Sequence, residues 1–326
     1  MLSSISNSEK TGEHARPDCF TIILLATVFL TLFSVEIVTR VAFDRTSKVQ
    51  VREVAQRNAL LAVKSDSGRG DPRVAVLGNS LMLDGVNVPL LTEKLEPAYT
   101  PVPYFVLGTE YYDWFYALKR LFAEGVRPRY VVLGLSPNQL ASTYTRGDYS
   151  ARYLFRAADL PKVARQTHMD LTTASGFVLS HFSEAYSTRE ATRGFLMSRV
   201  LPQVGELLHN RLGTNRAPDL DPVALRRIAS ERLAALDQLC RDNGTRFLLV
   251  VPPGYQKGEE IIQQVGRQKD IPVLVPVPSH EFDAADFEED GFHLNDKGAM
   301  IFTTRLAREL QETLRMNDLQ SRNRQE

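Results

Sequence analysis

The chain of 326 residues has two cysteines, one tryptophan and no surplus of charge, since 39 Lys and Arg balance 39 Asp and Glu. Each shortage excludes something. Cysteines as far apart as Cys19 and Cys240 build no disulfide framework and have no metal-ligand spacing. Cys19 borders an apolar segment and Cys240 falls in an expected helix, so both read as structural. Zero net charge removes the basic footprint of a nucleic-acid binder. His168, His181 and His209 share one middle segment without ligand spacing, and read as core or surface residues. No cofactor and no metal site is expected. Internal repeats and low-complexity tracts are also missing.

What the chain does have is one long apolar run. "CFTIILLATVFLTLFSVEIVTRVAF" carries no charge from Phe20 to Val35 and stays apolar around Glu36 and Arg40 to Phe43. About 24 helical residues at about 1.5 Å each reach about 36 Å, enough for a hydrocarbon core of about 30 Å. Glu36 and Arg40 stand four apart near one end, where such a pair can sit at the interface. A cleaved signal peptide has a shorter apolar core, and no A-x-A-like site follows this run. Residues 20–43 are therefore read as a single membrane anchor, after a tail of residues 1–19. Lys and Arg on the two sides leave the orientation open.

Beyond the anchor, residues 44–70 hold a helix, Ser47 to Lys64, with a weak apolar stripe at Val51, Val54 and Leu61. A Gly- and Pro-containing linker follows. Strand-like runs then alternate with helical ones: "RVAVLG", "VPYFVLG", "RYVVLGLS", "TRFLLVVPP" and "IPVLVPVP". Near-continuous apolar strands separated by helices predict an α/β fold with a parallel sheet covered on both faces. Asp221, Pro222 and Gly244 mark the ends of one helix. The last helix places Met300, Phe302, Leu306, Leu310 and Leu314 on one side. This domain spans residues 71–316, interrupted by a helical, aromatic-rich insertion at about 141–216, and 317–326 read as a polar tail.

Ligands of open parallel sheets gather at the carboxyl ends of the strands. Strand one ends in "VLGNSLMLDG", where Ser80 can project a nucleophilic hydroxyl or simply cap the next helix. Strand two ends at Gly108, whose N–H can face a developing oxyanion or serve a tight turn. Strand three leads to Asn138, an amide donor or plain turn chemistry. Late in the chain "EEDGFHLNDKGAM" sets Asp290 three residues before His293. A base oriented by a carboxylate completes a Ser–His–Asp set, with Ser80, Gly108 and Asn138 as oxyanion donors.

These blocks resemble the SGNH (GDSL-like) hydrolase superfamily over about Arg73 to Arg315, outside the insertion. "VLGNS" matches the first block with Asn79 in place of Asp, and Gly108 the second. Asn138 matches the third, with Ser136 and Gln139 replacing its Gly and Asp. "DGFHLNDKGA" matches the last. The resemblance implies a three-layer αβα sandwich with a five-stranded parallel sheet, similar to flavodoxin. It also implies catalysis by Ser80, Asp290 and His293. With its anchor, the chain looks like the bacterial O-acetyltransferases of exopolysaccharide and cell-wall glycans. The alginate acetylation proteins and the D-alanyl-transfer protein of teichoic acid synthesis are similar in layout. That layout implies an inner-membrane protein with its C-terminal domain outside, a glycan or other acyl acceptor, and a multi-spanning membrane-bound O-acyltransferase as partner. A carbohydrate or lipid esterase, or a catalytically silent scaffold on the same fold, remain alternatives.

Overall fold

The computed structural model describes residues 19–63, 73–190, 220–254 and 257–322, together with 192, 193 and 197. The amino-terminal tail, most of the linker, and the later part of the insertion including His209 lie outside the described residues.

Five parallel strands form one sheet in the order β2–β1–β3–β4–β5. They are β1 (Arg73–Gly78), β2 (Thr100–Phe105), β3 (Tyr130–Gly134), β4 (Arg246–Val250) and β5 (Val273–Leu274). In register, Val76 stands beside Pro103 on one side and Val132 on the other. Alternate residues of a strand point to opposite faces, and β1 serves two cores. Val74 and Val76 join Leu91 and Leu95 of α4 (Val88–Leu95) and Phe302, Leu306 and Leu310 of α13 (Asp296–Arg322). Ala75 and Leu77 join Trp114 and Leu118 of α5 (Tyr111–Ala123) and Leu233 and Leu236 of α11 (Pro222–Arg241). Burying each such leucine or phenylalanine contributes roughly 1.5–3 kcal/mol. The expected caps are present on α11, where Asp221 accepts from Ala224 N at 2.9 Å.

Three expectations are corrected. Met300 is 44% exposed, because it lies off the Phe302–Leu306–Leu310–Leu314 face and lines a cleft instead. The tail expected from residue 317 begins inside α13, and Asp318 accepts hydrogen bonds from Tyr99 at 3.0 Å and Arg129 at 2.7 Å. The helix after the long apolar run, α2 (Lys48–Leu61), leaves Val51 and Val54 exposed and buries Gln50, Glu53 and Leu60. Its polar face is needed because, at the outer edge of β2, Pro101 and Pro103 have no N–H but Phe105, and Leu107 just beyond, do. Gln56 Oε1 accepts from Phe105 N at 3.0 Å and Glu53 Oε1 from Leu107 N at 3.3 Å.

The apolar run forms α1 (Cys19–Thr46), of which Cys19–Val41 is long and apolar enough to cross a membrane. The described part of the insertion adds α6 (Pro137–Ala141), α7 (Asp148–Tyr153), α8 (Leu160–Gln166), α9 (Leu171–Phe182) and α10 (Glu184–Ser187). Its attachment to the sheet runs through α5. Fully buried Asp113 accepts from Arg146 N, and Arg120 Nη1 donates to the carbonyls of Arg152, Tyr153 and Phe155.

Replacing Gln56 by Ala should leave the buried Phe105 N–H without an acceptor, a loss of about 1–3 kcal/mol. Hydrogen exchange should accelerate along Thr100–Phe105 but not in α5. Gln56→Glu, which keeps the oxygen, should restore protection, and equal exchange in all three proteins would show that α2 does not hold this edge.

Candidate active site

Ser80 opens α3 (Ser80–Gly85), directly after the carboxyl end of β1. The turn before it is set by Asn79, which is buried. Asn79 Oδ1 accepts from Leu81 N at 3.0 Å and caps α3, while Nδ2 donates to Thr109 O at 3.0 Å. The second bond explains why an amide stands here, because a carboxylate has no proton to give a carbonyl. Asn79 thereby ties the loop after β1 to the loop after β2, where Gly108 adopts a φ of +65°. Beneath them Met82 packs against Gly78 and Gly134. A Cβ at either glycine would come within 2.3 or 2.1 Å of its side chain, so the strand ends must be bare for α3 to sit down.

His293 arrives from the loop before α13. Asn295 organises that loop: its Nδ2 donates to Ala285 O at 2.8 Å and Phe287 O at 3.0 Å, and its Oδ1 accepts from Lys297 N at 3.0 Å. His293 Nε2 lies 2.9 Å from Ser80 Oγ, and Nδ1 lies 2.6 Å from Asp290 Oδ2. With its proton on Nδ1 facing the carboxylate, the ring leaves Nε2 to accept from the serine hydroxyl. Asp290 Oδ1 also accepts from Phe292 N at 2.8 Å and His293 N at 3.0 Å. Partial burial opposes the charge of Asp290, but the bonds from His293 and Phe292 outweigh it and hold the carboxyl below its ordinary range.

Asn138 sits in the first turn of α6, at the carboxyl end of β3. Its Oδ1 is buried and finds no hydrogen-bond partner among the described residues. The departures on either side are a helix cap, since Gln139 Oε1 reaches back to accept from Ser136 N at 2.9 Å. Ser80, Gly108 and Asn138 thus all belong to loops or first turns leaving the same ends of three adjacent strands.

Sequence reading passed over Asp84. It lies one turn along α3 from Ser80, and its Oδ2 is 3.9 Å from His293 Nε2. Burial pushes its carboxyl upward, while His293 and Arg52 oppose that shift. The i,i+4 spacing from Ser80 was the available signal. Asp84, Asn87, Glu288, Asp290, His293 and Met300 line an open cleft of about 720 Å³. Among the described residues no group of three or more His, Cys, Asp or Glu side chains could hold a metal ion. No protein-family model matches the chain, and no curated protein matches it.

Asp290 gives a pH signature. Its folded pKa is depressed, so its contribution to stability is present above the ordinary Asp value of about 3.9 and fades as pH falls through the lower folded value. Wild type should exceed Asp290→Asn in denaturation midpoint at pH 7, and the gap should close progressively below about pH 4. A gap that stays constant down to pH 2 would remove the charge-based account.

Proposed function

We propose that the chain is a membrane-anchored serine acyltransferase of the SGNH type, acting outside the cytoplasm on a cell-envelope glycan. The observation that carries this reading is the hydrogen-bonded series Ser80–His293–Asp290 at the carboxyl edge of a parallel sheet, at 2.9 and 2.6 Å. The finer architecture follows the same reading. With helices over both core faces, the sheet is the middle layer of an αβα sandwich.

In the mechanism, Ser80 Oγ attacks the carbonyl carbon of an acyl donor while its proton passes to His293 Nε2. Asp290 stabilises the imidazolium and keeps the ring oriented. The N–H groups of Ser80 and Gly108 and the amide of Asn138 bond the tetrahedral oxyanion, one such donor being worth about 2.7–4 kcal/mol of barrier. The oxyanion collapses, the leaving group takes the proton from His293, and acyl-Ser80 remains. His293 then removes a proton from a sugar hydroxyl, whose oxygen attacks the acyl carbon, and returns that proton to Ser80 Oγ as the bond from Ser80 to the acyl carbon breaks. A multi-spanning O-acyltransferase would supply the acyl group across the membrane.

One observation favours hydrolysis as a second reading. The side chains of His293 and Asp290 are 24% and 34% exposed at an open cleft, so water reaches the base. Positioning of the acceptor decides between the outcomes, because orientation alone is worth several kcal/mol, up to about 7–11.

A fluorophosphonate probe should label the full chain at Ser80, label Ser80→Ala not at all, and label His293→Ala about 10²–10⁴ times more slowly. Incubation with 4-nitrophenyl acetate and candidate glycans should give acetylated glycan by mass spectrometry. Free acetate alone, still dependent on Ser80, would leave an esterase. Undiminished labelling of Ser80→Ala would end the enzymatic reading.

Orientation has its own test. Alkaline phosphatase fused after residue 326 should be active in intact bacteria, and green fluorescent protein at the same place should be dark. The opposite pattern would move the domain into the cytoplasm and change the substrate class.

A further inference from the structure

A second cavity, of about 850 Å³, shares no lining residue with the cleft at Asp290 and His293. It falls within the roughly 300–1,000 Å³ typical of ligand sites. One wall is the start of α2, with Ser47 and Gln50 immediately after the anchor helix. The opposite wall is the insertion, from Thr145–Tyr149 to Thr172 and Thr173 of α9. Leu107 closes the end towards β2, next to Gly108. A Cβ on Gly108 would stand 3.9 Å from the side-chain carbons of Arg146, another residue of the wall. The cavity therefore runs up to the loop that carries a proposed oxyanion donor.

The polar groups of this cavity select a chemistry. Gln50 is only 2% exposed; one end of its amide lies 3.3 Å from the Tyr149 oxygen, whose single proton goes to Glu53, and the other end, Nε2, finds no partner among the described residues. A buried amide donor left unmatched destabilises a fold unless something in the cavity accepts from it. Ser47 Oγ and Thr145 Oγ1 each accept from a backbone N–H and keep their own protons to donate. The cations here are already engaged. Arg146 stacks on Tyr149 at 3.7 Å and lies 3.4 Å from Glu53, while Arg189 stacks on Tyr186 at 3.9 Å and pairs with Asp148. Among the described lining residues no guanidinium is left over for a phosphate or carboxylate, and Glu190 adds a carboxylate that would repel either. Unspent donors, aromatic edges and the lack of a spare cation among the described lining residues fit an uncharged ligand dense in hydroxyl oxygens.

We propose that this cavity is a carbohydrate-binding site holding an uncharged stretch of the acceptor glycan beside the Ser80 centre. The binding itself stands on the cavity; its role as acceptor site rests on the acyl-transfer reading above. A polymer held here gains effective concentration at the reacting serine without new contacts to the reacting groups.

The test is calorimetric titration of the full chain in nanodiscs with three neutral hexasaccharides, a β-1,4-glucan, a β-1,4-linked N-acetylglucosamine oligomer and an α-1,4-glucan, against hexagalacturonate. At least one neutral glycan should bind with a Kd below about 10 mM and more tightly than the galacturonate. Gln50→Leu, which keeps the bulk and removes the donor, should weaken it at least about tenfold. Thr173→Trp, a surface change on α9 that fills the space, should do the same if Gln50→Leu fails to fold. Absence of binding by every neutral glycan, tighter binding of galacturonate, or affinity indifferent to a folded cavity variant overturns the proposal. Neutral-glycan binding lost in the cavity variants, without Ser80-dependent acetyl transfer, supports the cavity while removing the transferase reading.

Discussion

Parallel strands cannot follow one another through tight turns; each must be reached by a crossover over the sheet. Every strand in this sheet therefore ends on the same edge, and the loops leaving β1, β2 and β3 emerge side by side although α4, α5 and their connections separate them in sequence. That constraint places Ser80, Gly108 and Asn138 in neighbouring loops before any of their side chains is considered. His293 reaches the same edge from the far end of the chain, because α13 packs antiparallel to the strand direction beneath β1 and its first turn lies at their carboxyl ends. The buried amide of Asn79 then joins the first two loops directly, through Leu81 N and Thr109 O.

How far this was legible in the sequence differs by element. β1 was readable to the residue, since Arg73 opens and Gly78 closes the unbroken apolar run Val74–Leu77. β5 shrank from "IPVLVPVP" to Val273–Leu274, because Pro272, Pro276 and Pro278 have no N–H to give a ladder. The face of α2 was illegible for the opposite reason. Apolar periodicity assumes that burial means apolar contact, and α2 buries Gln50 and Glu53 to serve a strand edge. At the site, the residues with a local signature, Ser80, Asp290 and His293, could be named from their blocks. Asn79, Asp84 and Asp113 act through partners in other loops, and a single sequence does not show which loops meet.

The apolar helix α1 is similarly tied in by a polar group. A carboxylate on an apolar helix is costly unless its lone pairs are filled. Glu36 was paired on paper with Arg40, and that contact exists at 3.4 Å. Its closer partners come from the insertion: Ser183 Oγ at 2.9 Å, Glu184 N at 2.7 Å and Ala185 N at 3.1 Å. These bonds satisfy first-turn N–H groups of α10 and fasten the insertion to α1. The described part of the insertion is thus held to α1 at one end and, through Asp113 and Arg120 of α5, to the sheet at the other.

Glu53 joins these two attachments to the proposed chemistry. It is 2% exposed on α2, and its carboxylate accepts from Leu107 N, from Arg146 at 3.4 Å and from the Tyr149 hydroxyl. Burial, with the Glu53 charge beside it, pushes the Tyr149 phenol far up, so it remains a donor across the working pH range. Removing one partner of a buried ion pair typically costs about 3–5 kcal/mol, since the other charge is left without compensation. The carboxylate therefore strongly favours the arrangement in which α2, the insertion and the loop before Gly108 meet. Because α2 follows the apolar helix α1 directly after Ser47, the position of the Gly108 loop is set from these two helices as well as from the sheet. An oxyanion donor must stand within a few tenths of an ångström of its place to work. Through Glu53, the paired helices α1 and α2 thus help hold the loop that carries Gly108 in its place above the sheet.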